Sequence, residues 1–211
     1  MACAMTALCV LTGDLVASSD LAPDAVDAVL STIDGATATM AQWSASDLQT
    51  RFARRGGDSW QIALTRPELG LRAALFILAL LRRDHDLTET RIAIATGDGT
   101  LPDTGDLNAA HGAAFTASGR LLTGISGHGR MAHAQGGALH AATRLADHIA
   151  SGWTQAQARA IAAALPPDAP SRAEIAKSFG ITRQAINQAL WSAGYPALDE
   201  AMRAIEDEGR K

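Results

Sequence analysis

Two aspartates are the residues of this sequence best placed to do chemistry. Asp14 follows Gly13 at the end of an apolar run, residues 7–12, and Asp58 follows Gly56-Gly57 at the centre of residues 50–64. The paired glycines permit positive φ and a tight turn, and they let a ligand or another backbone come close. Carboxylates that converge repel each other unless a cation or proton intervenes. Mg²⁺ is suited to such a pair, because it takes one or two carboxylates and completes its shell with phosphate oxygens. The plainer reading makes each a solvated turn residue, the commoner fate of Gly-Gly-Asp. Other candidates are weaker. His128, His133, His140 and His148 have no cysteine or acidic partner at metal spacing and read as surface residues. Cys3 and Cys9 form neither a Cys-x-x-Cys pair nor a disulfide framework. Arg54 and Arg55 attract phosphate at a hairpin tip, or are simply solvated there.

The elements that position these residues follow from hydrophobic periodicity. Residues 7–12 predict a strand buried on both faces, with Asp14 at its carboxyl end. Pro23 opens a helix, with Asp24 near the positive end of its dipole, running to about Ile33 and resuming through Met40. In the hairpin, Trp60, Ile62 and Leu64 alternate with Ser59, Gln61 and Ala63, the period of a half-buried strand. Arg66-Pro67-Glu68 starts a second helix through Leu81, with Leu69, Leu71, Leu75, Leu78 and Leu81 forming its apolar face. Residues 90–96 predict another strand, Ile92 and Ile94 inward, turned by Gly97-Asp98-Gly99. The order βαββαβ is the split ferredoxin-like pattern, an α+β arrangement with both helices on one face of an antiparallel sheet. It sets the first strand beside the hairpin and brings Asp14 and Asp58 together. A helix over residues 111–122, a glycine-rich edge strand and loop to residue 134, and a helix over residues 138–151 follow. Leu139, Ala142, Leu145 and Ile149 share one face of the last.

The C-terminal part carries a different pattern. Thr154 and Gln157, then Ser171 and Glu174, stand at capping-box spacing and open two helices. The first ends at Leu165 before Pro166-Pro167, and the second ends at Gly180, suited to a left-handed cap. Thr182 caps a third helix through Ser192. Helix, turn, helix is the DNA-binding helix-turn-helix pattern, with Ile175, Ile181, Ile186 and Leu190 as its core and Ala176 at the crossing. Thr182, Arg183, Gln184, Asn187 and Gln188 would face outward with donors and acceptors suited to base edges. Ser171, Arg172 and Lys177 would hold phosphates. Between Ser171 and Trp191, Arg172, Lys177 and Arg183 stand against Glu174 alone, a charge of +2, so affinity calls for two copies on a two-fold site. Pro196 begins a last helix with Leu198, Met202 and Ile205 inward.

Four short runs resemble the motifs of class III nucleotide cyclases in order and spacing: Leu11-Thr-Gly-Asp14, Gly56-Gly-Asp58, Arg91-Ile-Ala-Ile-Ala-Thr-Gly97 and Gly112-Ala-Ala-Phe-Thr-Ala-Ser-Gly-Arg120. The whole layout looks most like the SatD family of small bacterial proteins, a cyclase-like palm joined to a helix-turn-helix. The resemblance implies that Asp14 and Asp58 are the metal aspartates for Mg²⁺ with a nucleotide. It implies that Arg120 is the transition-state arginine, donated across a homodimer. Thr116 stands where those cyclases have asparagine, Arg54 where they have the purine-reading lysine, and Ala109 where they have its aspartate partner. Metal residues are kept; base recognition departs from the pattern.

Length and composition set the frame. A chain of 211 residues with 47% hydrophobic and 19% charged residues is an ordinary globular sequence, and a net charge of −4 leaves any nucleic-acid site local. The start has no basic region, and the most apolar run, residues 73–81, is too short to span a bilayer, so we expect a cytoplasmic protein without membrane contact. The expected division is a palm over residues 5–135, a connecting helix over 136–151 and a helix-turn-helix domain over 152–211. Three functions fit: a transcriptional regulator whose palm senses a ligand or dimerises, a metal-dependent nucleotidyl-transfer enzyme, and a scaffold for protein partners. The first accounts for both halves and for the altered base-reading positions.

Overall fold

A computed structural model describes residues 5–43, 48–84 and 89–210; Cys3 lies outside them. The N-terminal strands and helices are β1 (Thr6–Leu15), α1 (Pro23–Met40), β2 (Thr50–Arg54), β3 (Ser59–Leu64), α2 (Gly70–Asp84) and β4 (Thr90–Thr100). Then come β5 (His111–Gly112), α3 (Ala113–Gly124), β6 (Met131–His133) and α4 (Gly137–Ser151). The chain continues as α5 (Gln155–Ala164), α6 (Arg172–Phe179), α7 (Arg183–Ser192) and α8 (Tyr195–Gly209). The described residues thus form a mixed α/β structure with eight α-helices. Its sheet runs β2-β3-β1-β4-β5, antiparallel throughout, and β6 joins β4 in parallel. No described helix is long and apolar enough to cross a membrane.

The centre of the sheet is β1, whose apolar residues serve both faces. Cys9 and Leu11 join the core built with α1 and α2, while Leu8 and Val10 pack with Leu107, Ala114 and Phe115 on the other side. That second layer corrects one expectation. On β3, Gln61 and Ala63 are as buried as Trp60, Ile62 and Leu64, because α3 and the 3₁₀ turn Leu107–Ala109 cover the face that alternation alone assigns to solvent.

Two strands are longer than the sequence pattern suggests. β1 continues through Gly13 and Asp14, which pair with Ile92 and Arg91 of β4. β4 runs straight through Gly97-Asp98-Gly99 rather than turning there, since Thr6, Ala7 and Leu8 supply its partners. Gly99 makes this possible: a Cβ there would lie 2.7 Å from Leu8 and 3.1 Å from Phe115. Between β2 and β3, Gly56 and Gly57 have φ of 81° and 46°, the positive values that a tight connection needs.

Helix α2 is buried on nearly all sides, because the sheet and α1 flank it and α5 packs along it. One hydrophobic core therefore runs from β1 through α2 into α5, α6, α7 and α8. Arg72 of α2, 3% exposed, donates from Nε and a terminal nitrogen to both oxygens of Glu206 on α8, at 2.6 and 3.2 Å. Its other terminal nitrogen donates to the Leu165 carbonyl at 2.7 Å.

Three apolar or histidine positions differ from expectation. Leu145 is 67% exposed, because α4 turns Thr143, Ala146, Asp147 and Ala150 inward instead. Ile181 is 46% exposed in the α6–α7 turn, where Ile175, Ile186 and Leu190 suffice for the core. His133 is buried rather than on the surface, since β6 is sandwiched between β4 and α4.

Candidate functional site

Asp14 and Asp58 meet at one end of the sheet because β1 and β3 are neighbours: Asp14 stands opposite Ser59, the residue after Asp58. Gly13 lets the strands close up there, since a Cβ would collide with the Trp60 ring and the Arg91 carbonyl. Trp60 is fixed in turn by its indole N–H, which donates to the Thr90 hydroxyl at 3.0 Å.

One member of the pair is already held from within the chain. Directly across from Asp14 on β4, Arg91 donates from Nε to one Asp14 oxygen at 2.8 Å and from a terminal nitrogen to the other. Its second terminal nitrogen donates to the Ile125 carbonyl at 3.1 Å. Hydrogen bonding to Asp14 raises the Arg91 pKa above its ordinary value, with the Asp14 and Asp58 charges adding to the effect against partial burial. Both carboxylates therefore lie in the field of one guanidinium. Asp58 also accepts a hydrogen bond from the Ser18 hydroxyl. Ser18 follows Ala17, whose φ of 53° makes it the one non-glycine in the left-handed region among the described residues.

This donor set does not fit a resident metal ion as it stands. Both Asp14 oxygens are engaged in a bidentate guanidinium pair, so a cation would first have to displace Arg91. Among the described residues, no three His, Cys, Asp or Glu side chains are grouped to share an ion.

The other positions singled out by the resemblance lie elsewhere. Thr116, on the exposed side of α3, donates its hydroxyl to the Gly112 carbonyl at 3.3 Å. Arg120, one turn on, is exposed and lines an open cavity of about 360 Å³ with His140 and Arg144. Arg54 pairs with Asp27 of α1 at 2.7 Å and donates to the Gly57 carbonyl at 2.8 Å. Arg55 donates to the Asn108 side chain at 3.0 Å. Both hairpin arginines thus tie β2 to its surroundings.

The helical residues are positioned by the expected caps. Reciprocal capping boxes form at Thr154–Gln157 and Ser171–Glu174, Gly180 takes the left-handed conformation at φ 67°, and the Thr182 hydroxyl accepts the Ala185 N–H. Burial of Ile186 and Leu190 turns the opposite side of α7 outward. Thr182, Arg183, Gln184 and Gln188 are exposed there, with Asn187 half-buried. Arg172 reaches across to α7 and donates to the Asn187 side chain at 3.2 Å, while Ser171 and Lys177 are exposed on α6.

Two residues without a role in the sequence pattern enter the picture. Arg91 lies within a motif run, but only cross-strand register brings it to Asp14. Trp191 is 74% exposed on α7 and continues the helical spacing of Gln184, Asn187 and Gln188, a periodicity readable from sequence.

No family model matches the chain, and no curated protein matches it. Two solved structures of a bacterial light-regulated adenylyl cyclase are similar to 63% of it, each at 17% identity with a TM-score of 0.46. The similar part covers 44% of each of those chains, so this chain matches less than half of their length. Its structural neighbours are adenylyl cyclases, at a weak level of likeness.

Proposed function

We propose that this chain is a DNA-binding transcriptional regulator in which α6 and α7 act as a helix-turn-helix. The α/β part, taken as a ferredoxin-like, cyclase-like palm over residues 5–135, serves as ligand sensor, dimerisation module or both. The observation that carries this reading is the outward face of α7, where Thr182, Arg183, Gln184 and Gln188 are exposed while Ile186 and Leu190 anchor the opposite side. Arg favours guanine and Gln or Asn favours adenine in the major groove. Ser171, Arg172 and Lys177 on α6 supply phosphate contacts that set register. A homodimer would present two α7 helices to a palindromic site, the geometry that compensates for a modest local charge.

The Asp14–Arg91 pair supports a sensor over a catalyst, because the internal guanidinium already neutralises the carboxylate that metal chemistry needs. A second reading, a metal-dependent nucleotidyl cyclase or transferase, is favoured by one observation: Asp14 and Asp58 do share one end of the sheet. In that reading Mg²⁺ with a nucleotide would be held by the two aspartates, and Arg120 and Thr116 would act on the phosphates.

Selection of bound fragments from genomic DNA tests the first reading. A discrete palindrome recovered by the wild-type protein and lost with Arg183→Ala and Gln184→Ala supports it. Absence of any enriched site across a range of salt concentrations overturns it and moves attention to nucleotide turnover.

A further inference from the structure

The helical part contains a cleft apart from the aspartate pair and from the outward face of α7, although Ser171 and Arg172 of the candidate phosphate-contacting set line it. It lies between α8 and the proline-rich loop joining α5 to α6, and it encloses about 420 Å³. This is within the size range of small-ligand sites. Three of its walls bring arginines from different elements: Arg72 from α2, Arg172 from the first turn of α6, and Arg203 from α8. Arg210, just past the end of α8, adds a fourth.

The carboxylates in the cleft do not saturate these groups. Glu206 is consumed by Arg72 in the buried bidentate pair. Asp199 accepts from Arg203 Nε at 2.9 Å and lies 3.9 Å from Arg72. The terminal nitrogens of Arg203 are not used in that bond. Asp207 is 3.6 Å from Arg210, beyond hydrogen-bond distance. Arg172 spends one terminal nitrogen on a neutral amide, that of Asn187. A guanidinium has five N–H donors in a planar fork that matches carboxylate and phosphate oxygens. The cleft is therefore rich in donors. Tyr195 lines the same cleft, its hydroxyl donating to the Ala164 carbonyl at 2.6 Å.

We propose that this cleft binds a small organic anion carrying a carboxylate or phosphate group, and that its occupancy is transmitted to α7 through Arg172 and Asn187. A bound oxyanion bridges Arg203 and Arg172 and competes with Asn187 for the Arg172 guanidinium. Arg172 and Asn187 both belong to the candidate DNA-contacting set, so the ligand alters the surface offered to DNA. Binding itself stands independently of the DNA reading; only its transmission rests on that reading.

The test is calorimetric titration of the full chain with inorganic phosphate and, separately, citrate, at constant ionic strength. Saturable one-to-one binding is expected with at least one of them, weakened about tenfold or more by Arg203→Ala, as loss of a charge-assisted contact requires. Arg203 is exposed and outside the DNA-contacting set, so this variant folds normally by circular dichroism. A preference for citrate identifies a carboxylate ligand, and a preference for phosphate a phosphate ligand. No saturable heat with either anion up to about 10 mM, or equal affinity in the variant, overturns the site. DNA titrations with and without the binding anion then separate the two ideas. Anion binding with no specific DNA binding at all leaves the cleft standing and removes the regulator. Specific DNA binding that the anion leaves unchanged, while it occupies the cleft, overturns the transmission through Arg172.

Discussion

Arg91 grips both oxygens of Asp14 from the neighbouring strand, so the carboxylate pair of this sheet carries its own cation. In a cross-strand pair the two side chains lie on the same face, and a bidentate guanidinium fixes both position and charge. Asp58 shares the same field from the hairpin side.

Removing that internal cation should expose the repulsion it screens. Arg91→Gln is expected to bind Mn²⁺ more tightly than the wild-type protein, as followed by electron paramagnetic resonance, because two unneutralised carboxylates favour an intervening cation. Adding Asp58→Asn should abolish the gain. Equal Mn²⁺ affinity in wild type and Arg91→Gln would show that Arg91 is not the counter-ion.

The Arg72–Glu206 pair links α2 to α8 at 3% and 5% exposure. Truncating one partner leaves a buried charge uncompensated, so Glu206→Ala should destabilise the fold by about 3–5 kcal/mol in urea unfolding. Replacing both with apolar residues, Arg72→Met with Glu206→Leu, should cost much less. If the single variant loses no more stability than the double, the buried pair is not acting as described.

His133 predicts a pH dependence of stability. Burial first, and the neighbouring His140 second, pull its pKa down to about 4. Its Nδ1 accepts the Gln135 N–H at 3.3 Å, a bond that requires the neutral ring at that nitrogen. The folded value is below the ordinary histidine value of about 6.5, so between the two the unfolded chain binds more protons. This contribution is fully present above about pH 6.5 and is lost as pH falls towards 4, amounting to about 3 kcal/mol. His133→Gln should flatten that part of the stability curve, measured by urea unfolding at several pH values.

On the proposed DNA face, Arg183→Ala and Gln184→Ala should each weaken a selected site by about 1–3 kcal/mol and relax preference at one base position. Lys177→Ala should instead weaken all sequences alike and reduce the salt dependence by about one ion. Fluorescence anisotropy across a salt series distinguishes the two patterns. Uniform loss in all three variants would argue that α7 contributes charge and no base readout.

Much of this molecule is legible in its sequence because the determining interactions are local. Capping boxes at Thr154 and Ser171, the left-handed Gly180 and the cap at Thr182 involve residues within three or four positions of one another, so α5, α6 and α7 begin and end near where the residue types dictate. The alternation in β3 and the apolar run of β1 identify strands for the same reason. The element order already sets the first strand beside the hairpin, but the residue-by-residue register and the covering of the second sheet face were decided by tertiary structure. Periodicity reports that a face is apolar, not that α3 will cover the opposite one, and so Gln61 and Ala63 are buried. It places Leu145 and Ile181 among core positions, although the space they would fill is taken by other residues. Most consequentially, Asp14 reads as a free carboxylate until the β1–β4 register sets Arg91 opposite it. A hydrogen bond between residues so far apart in the chain has no signature in either local sequence, because its energy depends on a distance that only the folded sheet defines.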